Sequence, residues 1–155
     1  MKQFFLIAIL SIFIGGTQVN AQNANPITNT GNQWVNPNTG EPFKIIFQLS
    51  TGDTLAHKAM MKQIGNMTSV APQTQIEVVC HGPGLDMLHQ KKSSVMKKIM
   101  EFQGEKVQFS ACQFSMKERK VSPEEIIPGA GYVEAGILHI VLRQAQGWFY
   151  IKAGF

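Results

Sequence analysis

Cysteine is scarce in this chain, which has only Cys80 and Cys112 among its 155 residues. Two cysteines are too few for a small domain held together by several disulfides. The chain also lacks C-x-x-C, H-E-x-x-H, G-x-G-x-x-G and Walker patterns, so neither a zinc site nor a nucleotide site is indicated. The net charge of +4 is too weak to predict binding to nucleic acid. We therefore predict that the protein uses no metal, no cofactor and no nucleic-acid partner.

Long apolar runs are absent after the first residues of the chain. At the start, Lys2 precedes an apolar run from Phe4 to Ile14, and the residues VNA at 19–21 fit a signal-peptide cleavage site. A run of this length is too short to cross a bilayer as a helix, but it suits the core of a signal peptide. We predict a signal peptide at 1–21, cleavage after Ala21, and a periplasmic or secreted protein that does not insert into the membrane.

Two further segments complete the predicted domain organisation. Residues 22–42 are dense in Asn, Thr, Gly and Pro and show no periodicity, which predicts a flexible leader. Residues 43–155 are predicted to form one domain, and the apolar content of 44% in the chain is sufficient for a single core.

Short β-rich segments alternate with segments of helical periodicity from residue 43 onward. This alternation predicts an α/β sandwich with a mostly parallel sheet. A largely buried helix is predicted at 137–146. Because ligands gather outside the carboxyl ends of parallel strands, the loops STGD, HGPG and CQFS are expected to share one rim, and Cys112 lies in the third of them. The predicted strands are 43–50, 75–80, 106–111, 131–136 and 148–152.

Five motifs occur in order between Phe43 and Lys152: FQLSTGD, VVCHGPGLDML, VQFSACQFSMKERKV, EEIIPGAGYVEAGI and GWFYIK. In sequence and spacing this set resembles the DsrE/DsrF-like family of small sulfur-relay proteins. The resemblance implies a three-layer α/β/α sandwich with a five-stranded, mostly parallel sheet, and assembly into homo-oligomers that are trimers or hexamers. It also implies that Cys112, at the position of the relay cysteine, carries sulfane sulfur as a persulfide.

Sulfur transfer requires a thiolate, because the ionised sulfur is the nucleophile. Cys112 is expected at the start of a short helix that runs through Met116, where backbone N–H groups stabilise negative charge. Lys117 and Arg119 follow it and are expected to lend electrostatic support. The protein is thus predicted to be at most a sulfurtransferase-type sulfur carrier, with a sulfur donor or acceptor protein as its partner.

The loops beside Cys112 contain the other candidate binding residues. Glycine lets the backbone approach a ligand closely, so these loops are expected to form one wall of a small pocket. The candidates are Gly52, His81, Gly82 and Gly84.

Alternatives to the sulfur-relay hypothesis remain open. Cysteines are often buried and inert, so Cys112 is also consistent with a structural role in a non-catalytic oligomer that binds a small ligand. In the sheet of the family, the strands that end in Cys80 and Cys112 are neighbours about 5 Å apart, which is within reach of a disulfide. A thiol-redox module with these two cysteines paired is the third hypothesis. Cys80 by itself is most simply explained as an apolar residue at the end of a strand.

Overall fold

A computed structural model of the chain describes residues 34–154. The predicted signal peptide and most of the predicted leader lie outside these residues, so both stay predictions. The last part of the leader contains an antiparallel bridge between Val35 and Pro42. It contacts the domain through Trp34, which lines an apolar cavity with Phe43 and Phe149. Between residues 34 and 154, no helix combines the length and the apolar character needed to cross a membrane.

Five parallel strands form one sheet in the order β4-β3-β2-β1-β5. The predicted three-layer α/β/α sandwich with a five-stranded sheet is confirmed, and the sheet is wholly parallel. The elements in chain order are β1 (Lys44–Leu49), α1 (Thr54–Val70), β2 (Gln75–Cys80), a 3₁₀ segment (Gly82–Leu88), α2 (Met96–Phe102), β3 (Val107–Cys112), α3 (Gln113–Arg119), a second 3₁₀ segment (Pro123–Glu125), β4 (Gly131–Val133), α4 (Gly136–Ala145) and β5 (Phe149–Ala153).

The central strands are apolar because both of their faces are covered. All residues of β2 after Gln75 are buried, as expected for a strand inside a parallel sheet. The helix α1 begins after Asp53, whose carboxylate accepts a hydrogen bond from the Leu55 N–H at 2.8 Å. This bond satisfies one of the backbone donors that a helix leaves free at its N-terminus.

The two faces of the sheet carry very different amounts of structure. The face that packs against α1, called the α1 face here, also holds α2, α3 and the 3₁₀ segments and contains the larger apolar cluster. The opposite face, called the α4 face, has a small cluster formed by Ile46, Val79 and Ile140. The strand order explains the asymmetry, because the chain steps in one direction from β1 to β4 and then returns across the sheet to β5. With right-handed connections, that return places α4 on the other face.

The helix α4 departs from its sequence-based prediction. It begins at Gly136 and ends at Ala145, but of its side chains that of Ile140 alone is buried, so the prediction of a largely buried helix is wrong. Its inward side is polar instead. Glu77 of β2, whose side chain is 4% exposed, accepts a hydrogen bond from Arg143 Nε at 2.7 Å and lies 2.6 Å from His139 Nε2.

Candidate functional site

The carboxyl ends of β1, β2 and β3 meet at one rim, as the register of the strands requires. Leu49 lies beside Cys80, and Cys80 lies beside Ala111. At this rim the first 3₁₀ segment presses against the end of β1, because a Cβ added at Gly84 would collide with the backbone carbonyl of Leu49. Gly84 is therefore required by close backbone packing.

The glycines predicted to line a pocket serve mainly to pack the rim loops together. A Cβ on Gly52 would lie 3.3 Å from the carbonyl oxygen of Pro83, so the loops after β1 and β2 are in direct contact. The N–H of Gly82 donates to the hydroxyl of Ser115 at 2.8 Å, which ties the same loop to α3. Gly52, Gly82 and Gly84 thus hold the loops around Cys112 in place.

Cys112 is the last residue of β3 and the residue that precedes α3. Its Sγ accepts a hydrogen bond from the N–H of Gly136, the first residue of α4, at 3.3 Å. As a thiol it donates to the carbonyl of Glu134 at 3.9 Å. The residue is 4% exposed, so the thiol is buried although it lies at the rim of the sheet. It belongs to neither apolar cluster, and the groups that cover its sulfur include backbone N–H donors.

These donors determine the ionisation of Cys112. Burial raises the pKa of the thiol, but hydrogen bonds from the N–H groups of Ser115 and Gly136, the Ser115 hydroxyl and the Phe114 N–H outweigh it. The pKa of Cys112 therefore lies below its ordinary value. The donors come from the first turn of α3 and the start of α4, where helix dipoles favour an anion.

The sequence predicts that Lys117 and Arg119 stabilise the Cys112 thiolate electrostatically, but the structure shows a different basis for this stabilisation. Both residues lie in the last turn of α3, and that helix begins directly after Cys112. Seven residues of helix separate the two ends by about 10 Å at 1.5 Å per residue. Arg119 instead pairs with Asp86 at 2.9 Å, and Lys117 is exposed to solvent. Backbone dipoles, rather than these two cations, stabilise the thiolate of Cys112.

Cys80 differs from Cys112 in every respect that bears on reactivity. It is 0% exposed within the apolar cluster of the α1 face, and burial raises the pKa of its thiol far above the usual range. Its interpretation as an apolar residue at a strand end is confirmed. Both cysteines are free, so the structure does not support the hypothesis that Cys80 and Cys112 form a disulfide. Since Cys80 lies beside Ala111, the next residue, Cys112, faces the opposite side of the sheet.

His81 lies close to Cys112 on the α4 face. The Cβ atoms of both residues are within 3.4 Å of the point that a Cβ of Gly136 would occupy. His81 Nε2 lies 2.8 Å from the side-chain amide nitrogen of Gln48, whose oxygen accepts from the hydroxyl of Tyr150. Burial lowers the pKa of His81, so the ring is neutral at neutral pH. These hydrogen bonds hold the neutral ring of His81 in place as a polar group beside the thiol.

Sequence reasoning missed several residues of this site. Ser115 and Gly136 supply donors to Cys112, and Gln48 and Tyr150 fix His81. The one sequence signal that could have identified Gly136 as a site residue is a small residue at the predicted junction between a strand and a helix. Within residues 34–154, no group of three or more His, Cys, Asp or Glu side chains is arranged to hold a metal ion.

The fold and the site together define an α/β protein with a polar-lined cysteine at the carboxyl edge of a parallel sheet. No protein-family model matches the sequence, and no curated protein matches it. Among solved structures, a protein of unknown function from Methanobacterium thermoautotrophicum is similar, with a TM-score of 0.67 and 25% identity. The similarity covers 71% of this chain and 98% of that one, which supports the α/β fold of the domain.

Proposed function

We propose that the protein is an exported, DsrE-like carrier of sulfane sulfur that forms a persulfide on Cys112. The observation that supports this most strongly is the contrast between its two cysteines. Burial alone acts on Cys80 and raises the pKa of its thiol, whereas the donors around Cys112, among them the Gly136 N–H at 3.3 Å, outweigh burial and lower the pKa of that thiol. A buried thiol with no chemical role has no need of donors that stabilise its anion.

The proposed step is a transfer between thiolates without net oxidation. The Cys112 thiolate attacks the outer sulfur of a persulfide donor, R–S–SH. The S–S bond of the donor breaks, R–S⁻ leaves, and Cys112 becomes Cys–S–SH. Attack by an acceptor thiolate on the terminal sulfur then returns Cys112 to the thiolate. The protein acts here as a carrier, and its donor or acceptor is a protein or small thiol.

The same donors suit each anionic species in this cycle. The Gly136 N–H points at the sulfur that gains or loses charge, and the Ser115 hydroxyl adds a second donor beside it. Hydrogen bonds to an ion are worth about 1.5–3 kcal/mol each, roughly twice a neutral pair. The thiolate that leaves when sulfur is passed on is stabilised in the same way as the thiolate that attacks.

The low exposure of Cys112 favours the second candidate, a non-catalytic module in which the cysteine is structural. At 4% exposure the sulfur is covered by the loop at Glu134 and the start of α4. In that case the donors would serve to join β3 to α4, and no sulfur would be accepted.

Mass spectrometry of the intact protein distinguishes the two candidates. After incubation with a cysteine persulfide, the wild type and Cys80→Ser are expected to gain one sulfur atom per chain, and Cys112→Ser to gain none. Cys80→Ser is the matched control because it removes the other thiol. An unmodified wild type whose Cys112 still reacts with a small alkylating reagent would refute the sulfur-carrier proposal.

A further inference from the structure

A row of polar side chains crosses the α4 face from Cys112 toward the far edge of the sheet. His81 continues β2 by one residue, because its backbone is extended and its N–H donates to the carbonyl of Leu49 at 3.0 Å. Cys80 lies beside Ala111 in the strand register. The residues that follow them, His81 and Cys112, are therefore neighbours on the α4 face. The row, called the rim row here, follows the strand order β3-β2-β1-β5 and consists of Cys112, His81, Gln48 and Tyr150.

The hydrogen bonds of the rim row all run in one direction. The Tyr150 hydroxyl donates to the amide oxygen of Gln48, because a carbonyl oxygen only accepts. The amide nitrogen of Gln48 only donates, so Nε2 of His81, 2.8 Å away, is the acceptor and holds no proton. A neutral imidazole carries its proton on the other nitrogen, so His81 is a donor through Nδ1.

This donor is directed toward the side of the ring on which Cys112 lies. The two nitrogens of an imidazole direct their bonds toward nearly opposite sides of the ring. Since Nε2 is directed at Gln48 on β1, the Nδ1–H of His81 is directed away from β1 and toward β3. Within residues 34–154, no group accepts a hydrogen bond from this nitrogen. The rim row therefore ends in a free donor beside the sulfur.

We propose that the Nδ1–H of His81 donates a hydrogen bond to the outer sulfur of a persulfide on Cys112. Neighbouring strands are about 4.8 Å apart and an S–S bond adds about 2 Å to a side chain, so a second sulfur on Cys112 comes within reach of the ring. The proposal rests on the proposed sulfur-carrier function. It assigns the inner sulfur to the donors at Gly136 and Ser115 and the outer sulfur to His81.

A donor at the outer sulfur has a purpose in both transfers. A thiolate attacks this sulfur when it leaves the donor molecule and again when it passes to the acceptor. A persulfide is more acidic than a thiol, so at neutral pH its outer sulfur bears negative charge and repels the attacking thiolate. A hydrogen bond from His81 reduces that repulsion. No proton leaves the ring, and the bonds made and broken are those of the sulfur exchange alone.

The rate at which Cys112 gains sulfur tests the proposal, with each variant made in a Cys80→Ser background and treated with a cysteine persulfide. His81→Phe keeps a ring without the donor, and its rate is expected to fall on the order of tenfold, the effect of one hydrogen bond to a charged group. His81→Asn places an amide N–H where Nδ1 stood and is expected to restore most of the rate.

Two further measurements separate this role from a merely structural one. Alkylation of Cys112 by iodoacetamide, a neutral reagent, is expected to proceed at the parent rate in both variants, because the donors to the thiol itself come from other residues. Nuclear magnetic resonance of the ¹⁵N-labelled parent protein is expected to place the proton of His81 on Nδ1. The His81→Asn spectrum identifies the signals of this ring by their loss.

Several outcomes would overturn the inference: a proton on Nε2, equal rates of sulfur gain for the parent and His81→Phe, or an equal loss of sulfur gain and alkylation in His81→Phe. The proposed function survives each of these if the parent gains sulfur. A parent that gains no sulfur refutes the proposed function and the inference with it. Should His81→Phe fail to fold, His81→Gln, whose amide extends to the position of Nε2, is expected to show the same loss relative to His81→Asn.

Discussion

The backbone N–H of Gly136 donates to the sulfur of Cys112 across 3.3 Å and joins the end of β3 to the start of α4. The strand order places these two elements together although 24 residues separate the donor from the acceptor. The contact has an electrostatic and a steric side. The amide stabilises a negative charge on the sulfur, and the absence of a side chain at Gly136 allows the close approach.

The electrostatic side predicts how the ionisation of Cys112 responds to its neighbours. Ser115→Ala removes the hydroxyl that donates to the sulfur, so the pKa of Cys112 rises and the thiolate fraction at neutral pH falls. Loss of one hydrogen bond to an ion, worth about 1.5 kcal/mol or more, is expected to slow alkylation at neutral pH on the order of tenfold. The measurement is the rate of alkylation against pH, in a Cys80→Ser background.

Ser115→Thr keeps a hydroxyl at this position and serves as the control. It is expected to retain the pH profile of the parent protein. Identical profiles for the alanine and threonine variants would mean that the hydroxyl does not govern the thiol.

The steric side predicts the effect of a single methyl group at the junction. In Gly136→Ala the new Cβ would lie 3.1 Å from a methyl of Val79, 3.3 Å from Cβ of Cys112 and 3.4 Å from Cβ of His81. Overpacking of this kind costs about 1–3 kcal/mol, because the sheet and α4 must move apart. Urea denaturation should show the loss as a lower midpoint. Gly104→Ala, whose Cβ would meet no atom within 4 Å, is expected to leave the midpoint nearly unchanged. Equal midpoints for the two variants would contradict the close packing at Gly136.

The ion pairs of Asp86 predict a dependence of stability on pH. Burial raises the pKa of Asp86, but Lys92 and Arg119 outweigh it, so the pKa in the folded protein lies below the ordinary value for an aspartate. A lowered carboxylate pKa stabilises the fold above the unfolded-state pKa, and this stabilisation disappears as the pH falls through the folded-state value. Because the side chain is 26% exposed, the contribution is expected to be about 1 kcal/mol or less.

Denaturation of Asp86→Asn at a series of acidic pH values checks this expectation. The difference in unfolding free energy between the wild type and the variant should be constant at pH values above the unfolded-state pKa. It should shrink at lower pH, as the wild-type carboxyl gains its proton. The exposed Glu101, changed to Gln, is the control for a carboxylate outside this ion-pair cluster. A difference that does not vary with pH would show that Asp86 acts through packing alone.

The alternation of strands and helices was predictable from the sequence because apolar β-rich runs and helical periodicity are local signals. β2 at 75–80 has the predicted bounds. The common rim follows from those bounds, since the carboxyl ends of parallel strands coincide.

The surroundings of Cys112 were not predictable, because they depend on single residues at element boundaries. The sequence predicts the third strand at 106–111, whereas β3 extends to Cys112. One residue decides which face of a sheet a side chain occupies, so the register separates Cys112 from Cys80 and excludes their disulfide. Likewise α3 continues past Met116 to Arg119, which carries the predicted cations to the far end of the helix.

The exposure of α4 depends on topology rather than on a local pattern. The segment GILHIVLRQA is rich in large apolar residues, which by itself favours burial. The helix α4 lies on the α4 face because the chain returns across the sheet from β4 to β5, a connection that no periodicity reveals. The inward orientation of His139 and Arg143 toward the buried Glu77 likewise depends on contacts between residues far apart in the sequence.

The pairing of β5 with β1 has a consequence for the growing polypeptide. β1 is the earliest strand, and its second neighbour is the latest one, at Phe149–Ala153. While the ribosome is still adding those residues, one side of β1 offers its amides and carbonyls to any other extended chain. Nascent or C-terminally clipped molecules would therefore be the form most prone to aggregate, and would need a chaperone or rapid completion to escape it.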